Sequence, residues 1–386
     1  MPGIYRLKGV VKHYDWGGSY FIPSLLQTEN KESRPFAEYW MGVHPLGMSK
    51  VETEAGEWKD LSEYTSRLPY LFKLLDVKEM LSIQAHPSKS AAETEFAREN
   101  AAGIPLDSPL RNYKDDNHKP ELMVALSEFW LLHGFKPVEE LAYTLQNVVE
   151  LRELLPVFNE SGYKGLYQHI MEMPQAEVNR ILQPLVQNLC SLEKGIDPDK
   201  NEEDFWAAKA AERFSASDNI DRGLFSIYLF NLVQLKKGEG IFQADGVPHA
   251  YLEGQNVEIM ANSDNVLRGG LTSKHIDVKE LMKHIEFGPT IPKILSPEPL
   301  TDSEQIYRTD VPDFRLTVFD LKAGGTVSFS PFATEILLLT EGNITLNNGT
   351  QSLSCKPGSP SIVALPGEPV ALTAVTNSIV YRAALP

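Results

Sequence analysis

A long helix-patterned segment interrupts sequence that otherwise reads as strands, and the most chemically distinctive residues lie on both sides of it. From Pro137, Leu141, Leu145, Val148, Leu151 and Leu155 recur at helical spacing, as do Ile181, Leu182, Leu185 and Leu189, followed by Phe205–Phe214. This predicts a helical block over 137–217. Ahead of it, Phe72–Val77, Leu81–His86 and Glu121–Phe135 have strand character, and Ser88–Asn100 reads as a helix capped by Ser88 and ended near Gly103. Behind it, Asp218–Leu235 reads as a further helix running into a strand, and after Gly238 the chain is strand and turn to about Ile285. The β unit therefore cannot form from one continuous stretch. Its two halves must meet across an insertion, and a site drawing on both exists only when they do.

Pro289, Pro292, Pro297 and Pro299 mark a crossing to a last region of short strands. Turns such as Asn347-Asn348-Gly349 and Lys356-Pro357-Gly358 predict a small β-barrel or sandwich there. The region holds no histidine, so no histidine-based metal site is expected in it. The expected organisation is a discontinuous catalytic unit, 1–136 and 218–290, a helical insert, 137–217, and a C-terminal barrel without a metal site, 291–386.

The 386 residues carry a formal net charge of -16. So acidic a chain is not expected to bind nucleic acid or an anionic membrane surface, and an anionic ligand would need a local cluster of cations. The two cysteines, Cys190 and Cys355, form no CxxC, which argues against a disulfide framework or a cysteine metal site. Met1–Arg6 has no apolar signal-peptide core, and no stretch approaches the roughly 20 apolar residues of a spanning helix. A cytoplasmic protein is expected.

Three separated segments point to a metal. Gln84 and His86 alternate on a strand, so both side chains leave one face. Glu121 heads the apolar run Leu122–Leu126, and His249 sits in the turn Gly246-Val247-Pro248-His249. Two imidazoles, a carboxylate and an amide oxygen suit a borderline divalent ion. Each alone has a plainer reading: a buried imidazole satisfied by backbone, or a Glu121 that pairs with Lys119, two residues away on the same strand face. Their combination favours the metal.

Gly238, Gly246 and His249 also fall at the spacing of one cupin motif, with Ala244 at its proline position. The other cupin element is altered to Gln84-Ala85-His86 with Glu121 displaced. Gln84–Lys89, Lys119–Leu122, Gly246–Tyr251, Asn265–Thr272 and Tyr39–Pro45 together resemble the type I mannose-6-phosphate isomerases. The resemblance covers nearly the whole chain. It implies a mainly β fold with two cupin-type barrels and an inserted helical domain. It implies one zinc ion per chain on Gln84, His86, Glu121 and His249, and a catalytic role for Arg268.

The implied reaction moves a proton between C2 and C1 of a sugar phosphate through a cis-enediol and needs no redox cofactor. Arg268, with Gly269-Gly270 beside it, suits stabilisation of the developing oxyanion. Lys119, Glu258 or a metal-bound water could carry the proton. Ser82, Lys89 and Lys274 flank the motifs and are candidates to hold the phosphate. The expected partner is a small sugar phosphate, bound by a monomer. Two other classes fit a mixed nitrogen and oxygen metal site: an iron-dependent oxygenase, although its facial triad needs no glutamine, and a non-enzymatic sugar-phosphate binder.

Overall fold

The computed structural model describes residues 3–65, 68–192, 199–215 and 219–386. The expected boundary at 217/218 lies outside these residues. Strands predominate, and six frame the centre: β1 (Tyr70–Val77), β2 (Ile83–Ala85), β3 (Glu121–Ala125), β4 (Phe129–Phe135), β5 (His249–Ala261) and β6 (Leu267–Gly270). The three segments expected to be strands ahead of the helical block are present, the third, Glu121–Phe135, as two strands. β1, β3 and β4 are buried at every position, which explains why their sequences are apolar apart from a few polar residues such as Lys73, Glu121 and His133.

The long strand β5 organises the rest. Its second half pairs antiparallel with β1, Gly254 opposite Val77 through Ala261 opposite Tyr70, and with β3, Asn256 opposite Ala125 through Met260 opposite Glu121. Its first half pairs with β4, and His249 lies opposite Gln84 of β2. The two halves divide at Gly254, whose φ is +130°. A Cβ there would sit 2.6 Å from the Glu128 carbonyl oxygen, so only glycine allows the strand to change partners at this point. Thus residues on either side of the helical segment meet on one sheet.

The helical segment is as the periodicity predicts. It runs through Val138–Asn147, Leu155–Glu172, Gln175–Leu192 and Glu203–Phe214, then Gly223–Leu229, which passes directly into the strand Phe230–Leu235. Leu141, Leu166, Ile170, Leu182, Trp206 and Leu224 share one core with Trp130, Leu132, Phe135 and Leu252 of β4 and β5. Burial of these side chains, worth about 1.5–3 kcal/mol each, fixes the segment against the sheet. The helix after β2 spans Lys89–Ala101, with the Ser88 hydroxyl accepting from the Ala91 amide at 3.3 Å and Gly103 at φ +70° beyond its end.

In the C-terminal region, Arg315–Leu321, Glu335–Glu341, Ser361–Leu365 and Ser378–Ala384 belong to one sheet, and Thr326–Phe329, Ile344–Asn347, Ser352–Cys355 and Val370–Ala374 to another. Phe319, Leu337 and Val380 of the first pack with Val327, Leu346 and Leu372 of the second. The N-terminal strand Gly3–Lys8 pairs with Ser361–Leu365, so the two ends of the chain share a sheet. Among the described residues, no helix is long and apolar enough to cross a membrane.

Candidate metal centre

β2, β3 and β5 bring His86, Glu121 and His249 together, and among the described residues these are the one group of acidic, histidine or cysteine side chains whose geometry could hold a metal. All three are buried. His86 Nε2 lies 3.6 Å from Glu121 Oε1, and His249 Nε2 lies 3.5 Å from Glu121 Oε2. These separations are too long for good hydrogen bonds. They match the spacing of ligands around one ion, since atoms each about 2.1 Å from a tetrahedral zinc stand about 3.4 Å apart. Both Nε2 atoms are buried without a hydrogen-bond partner. Such atoms carry a desolvation cost of about 1–3 kcal/mol each unless something completes them.

The far side of each ring is fixed. His86 Nδ1 donates to the Asn265 carbonyl at 2.8 Å, and His249 Nδ1 to the Val247 carbonyl at 2.9 Å. Both rings thereby turn an Nε2 lone pair to the common centre, as metal-bound histidines do. Burial pushes the His86 pKa down to about 4, against the pull of Glu121, so the ring is neutral near pH 7 as ligation requires. Burial alone would raise the Glu121 pKa, but Lys119 and the two imidazoles outweigh it and hold the carboxyl well below its usual range. Lys119 Nζ is 2.9 Å from Glu121 Oε1, so the plainer lysine pairing and the convergence on the histidines are both present.

The centre opens into a cleft of about 570 Å³. Gln84, Glu121, Lys119, Glu258, Arg268, Ser82 and Lys274 all line it. Gln84 lies opposite both His249 and Arg268 in the strand registers, which places it at the centre's edge. The Arg268 side chain makes no hydrogen bond or ion pair among the described residues, and burial lowers its pKa. Lys274 is likewise lowered, by burial first and then by Arg268. Two cations without a close carboxylate thus face a cleft in an acidic protein.

Lys89 departs from expectation. It does not line the cleft; its amine donates to the Asp116 carbonyl at 2.9 Å and lies 3.5 Å from Glu93. As the first residue of a capped helix it reaches toward the next turn rather than back to the sheet.

Sequence reasoning missed several lining residues. Lys73 forms a buried ion pair with Glu258, whose other oxygen accepts from the Tyr251 hydroxyl at 2.8 Å. Burial first, then Glu121, raises the Glu258 pKa, against the opposing pull of Lys73. A lysine inside the apolar run Phe72-Lys73-Leu74-Leu75 was the available signal, because a charge in a fully buried strand needs a partner. Tyr251 follows His249 by two residues and shares its strand face. Arg213, Tyr14 and Trp16 enter from the helical segment and the N-terminal loop, and carry no local motif.

A mainly β protein with a two-histidine, one-carboxylate centre at the wall of a polar cleft defines a mononuclear metalloprotein. A family model for the catalytic domain of type I phosphomannose isomerase matches residues 4–138. The mannose-6-phosphate isomerase of Escherichia coli K12 is 35% identical over 386 residues, spanning 95% of this chain and 96% of its own. The human enzyme of that name is 32% identical, covering 90% of each chain. A solved structure described as mannose 6-phosphate isomerase from Salmonella typhimurium, bound to fructose 6-phosphate and zinc, superposes with a TM-score of 0.86 at 33% identity over 99% of both chains. The chain belongs to the type I phosphomannose isomerase family.

Proposed function

We propose that this protein is a zinc-dependent aldose–ketose isomerase that interconverts mannose 6-phosphate and fructose 6-phosphate. The observation that carries the reading is the pair of buried, partnerless Nε2 atoms on His86 and His249, set around one Glu121 carboxylate at the wall of a cation-bearing cleft. Family membership and the ligands of the Salmonella relative support the choice of substrate and metal. His86, Glu121 and His249 hold the ion, and Gln84 is the fourth ligand, supported by its position opposite His249. Zinc so held supplies Lewis acidity toward a substrate oxygen.

The chain's own residues do the rest. Arg268, unpaired and half-buried, faces the negative charge that develops as the C2 proton leaves. Glu258 is the proton carrier: it lines the cleft, and desolvation raises its pKa toward the working range of a general base. Lys73 and Tyr251 orient its two oxygens. Lys119 keeps Glu121 ionised. Ser82 and Lys274 bind the phosphate at the opposite end of the sugar, without Lys89.

We assign the fold to two cupin-type barrels, 1–136 with 218–290 and 291–386, and a helical insert, 137–217. The strand Gly3–Lys8 is shared with the second barrel through Ser361–Leu365. Cysteine scarcity supports a reducing cytoplasm.

Conversion of fructose 6-phosphate without oxygen tests the reading. Anaerobic turnover is expected and would exclude an oxygenase. Tight binding with zero turnover would instead make this a sugar-phosphate binder.

A further inference from the structure

Arg268 stands on a strand, β6, that has a strand neighbour on one side only, and Lys274 follows in the bends just beyond it. β6 pairs with β2 through Leu267, Arg268 and Gly270, and the register breaks between Arg268 and Gly270. Among the described residues no strand covers its other edge. The next residue, Leu271, has φ +53°, a left-handed conformation that leucine rarely adopts. Its side chain is buried, so it cannot relax outward.

The helical segment supplies the missing support. Asp221 Oδ1 accepts from the amides of Leu271 at 2.8 Å and Gly223 at 2.7 Å, and Oδ2 accepts from the Thr272 amide at 3.2 Å. Backbone contact is equally close. A Cβ on Gly270 would sit 2.5 Å from Gly223 Cα, and one on Gly269 would sit 2.7 Å from the Tyr167 hydroxyl. Arg222 ties this stretch to the end of the helix Leu155–Glu172, donating to the carbonyls of Ile170, Met171 and Met173. Asp221 itself does not line the cleft.

We propose that Asp221 is a positioning residue: its amide bonds hold Leu271 left-handed and thereby set where Arg268 and Lys274 stand in the cleft. The proposal rests on the isomerase reading for its kinetic readout, but not for its structural one. The junction just after the helical insert then has a definite part in the reaction: Asp221 sets the arginine-bearing loop, and Arg222 ties that junction back to the insert's helix Leu155–Glu172.

The test compares Asp221→Ala and Asp221→Asn in the full-length, zinc-loaded protein. Asp221→Ala is expected to lower kcat by about 100-fold, the scale of a ~1 Å misplacement, with zinc content unchanged. Hydrogen exchange at the Leu271 and Thr272 amides should accelerate. Asp221→Asn keeps an oxygen for Leu271 and Gly223 and loses the Thr272 bond, so its kcat should fall between the two. Wild-type kcat in Asp221→Ala, or a lowered kcat with both amides still protected, would overturn the proposal. If Asp221→Ala does not fold, Asp221→Asn decides: lowered kcat with faster Thr272 exchange supports it, and wild-type kcat refutes it. If the wild type fails to isomerise fructose 6-phosphate, the isomerase reading falls, and amide exchange alone decides whether Asp221 holds the loop.

Discussion

Replacing Arg268 with alanine removes a guanidinium that has no carboxylate partner among the described residues and whose charged neighbours, Lys114 and Lys274, repel it. No anion is orphaned by the change, so stability should shift by less than about 0.5 kcal/mol. Catalysis should respond very differently. Loss of one preorganised donor to a developing oxyanion costs about 100-fold or more in kcat, which is about 2.7 kcal/mol of barrier. Zinc content should stay at the wild-type value, because arginine is not a ligand. Mannose 6-phosphate and free mannose share the same reacting carbons. If Arg268 acts there, kcat should fall by a similar factor for both sugars in a coupled fructose-forming assay. A variant within a few-fold of wild type would return Arg268 to a structural role. A loss confined to the phosphorylated sugar would make it a phosphate ligand and refute the oxyanion assignment.

Three further outcomes are expected. His86→Ala or His249→Ala should lose most bound zinc, measured by elemental analysis, and chelation of the wild type should abolish an activity that added zinc restores; full activity in metal-free protein would contradict the centre. Lys274→Gln should raise KM for mannose 6-phosphate by about 10-fold, the scale of one lost charge-assisted hydrogen bond, and leave free mannose nearly unaltered; equal effects on both sugars would remove Lys274 from phosphate recognition. His118 lies 3.0 Å from Asp313, and that hydrogen bond raises its pKa above the ordinary 6.5. A raised native pKa means the pair's stabilisation is fully present below about pH 6.5 and is lost as pH rises through the native value. The difference in urea midpoint between wild type and Asp313→Asn should therefore shrink from pH 6 to pH 8.5, and a difference that grows would refute the pairing.

The cluster of His86, Glu121 and His249 was legible because its members sit in short local signatures: His86 ends a strand-patterned run, Glu121 heads another, and His249 follows a glycine turn. Helix-patterned sequence between the motifs was equally plain, since Leu141, Leu145 and Leu182 repeat at the period of the core they enter. What stayed hidden depends on pairing over long separations. Lys73 meets Glu258 only because β1 and β5 lie in register, and no local pattern encodes that register. Gly3–Lys8 finds Ser361–Leu365 in the same way. Lys89 is close to His86 in sequence, but the Ser88 cap signals a helix that leads its side chain away from the sheet.

A chain with net charge -16 can still receive a phosphorylated sugar because of how its cleft carboxylates are spent. Glu121 is held by Lys119 and faces the two histidines, Glu258 by Lys73 and Tyr251, and Glu38 by the indole of Trp40. Asp15, at the cleft's mouth, lies 3.4 Å from Arg213. The acids of the cleft are thus each matched by a donor, whereas Arg268 has no such match and Lys274 feels only the distant pull of Asp15. Within a cleft walled by protein, where screening by water is weaker, those two cations outweigh more distant surface charge. The overall charge therefore describes the surface a substrate meets at long range, and the pairing pattern inside the cleft decides whether it stays. Raising ionic strength should then speed capture of the anionic sugar by screening the outer repulsion, until salt competes for Arg268 and Lys274 themselves.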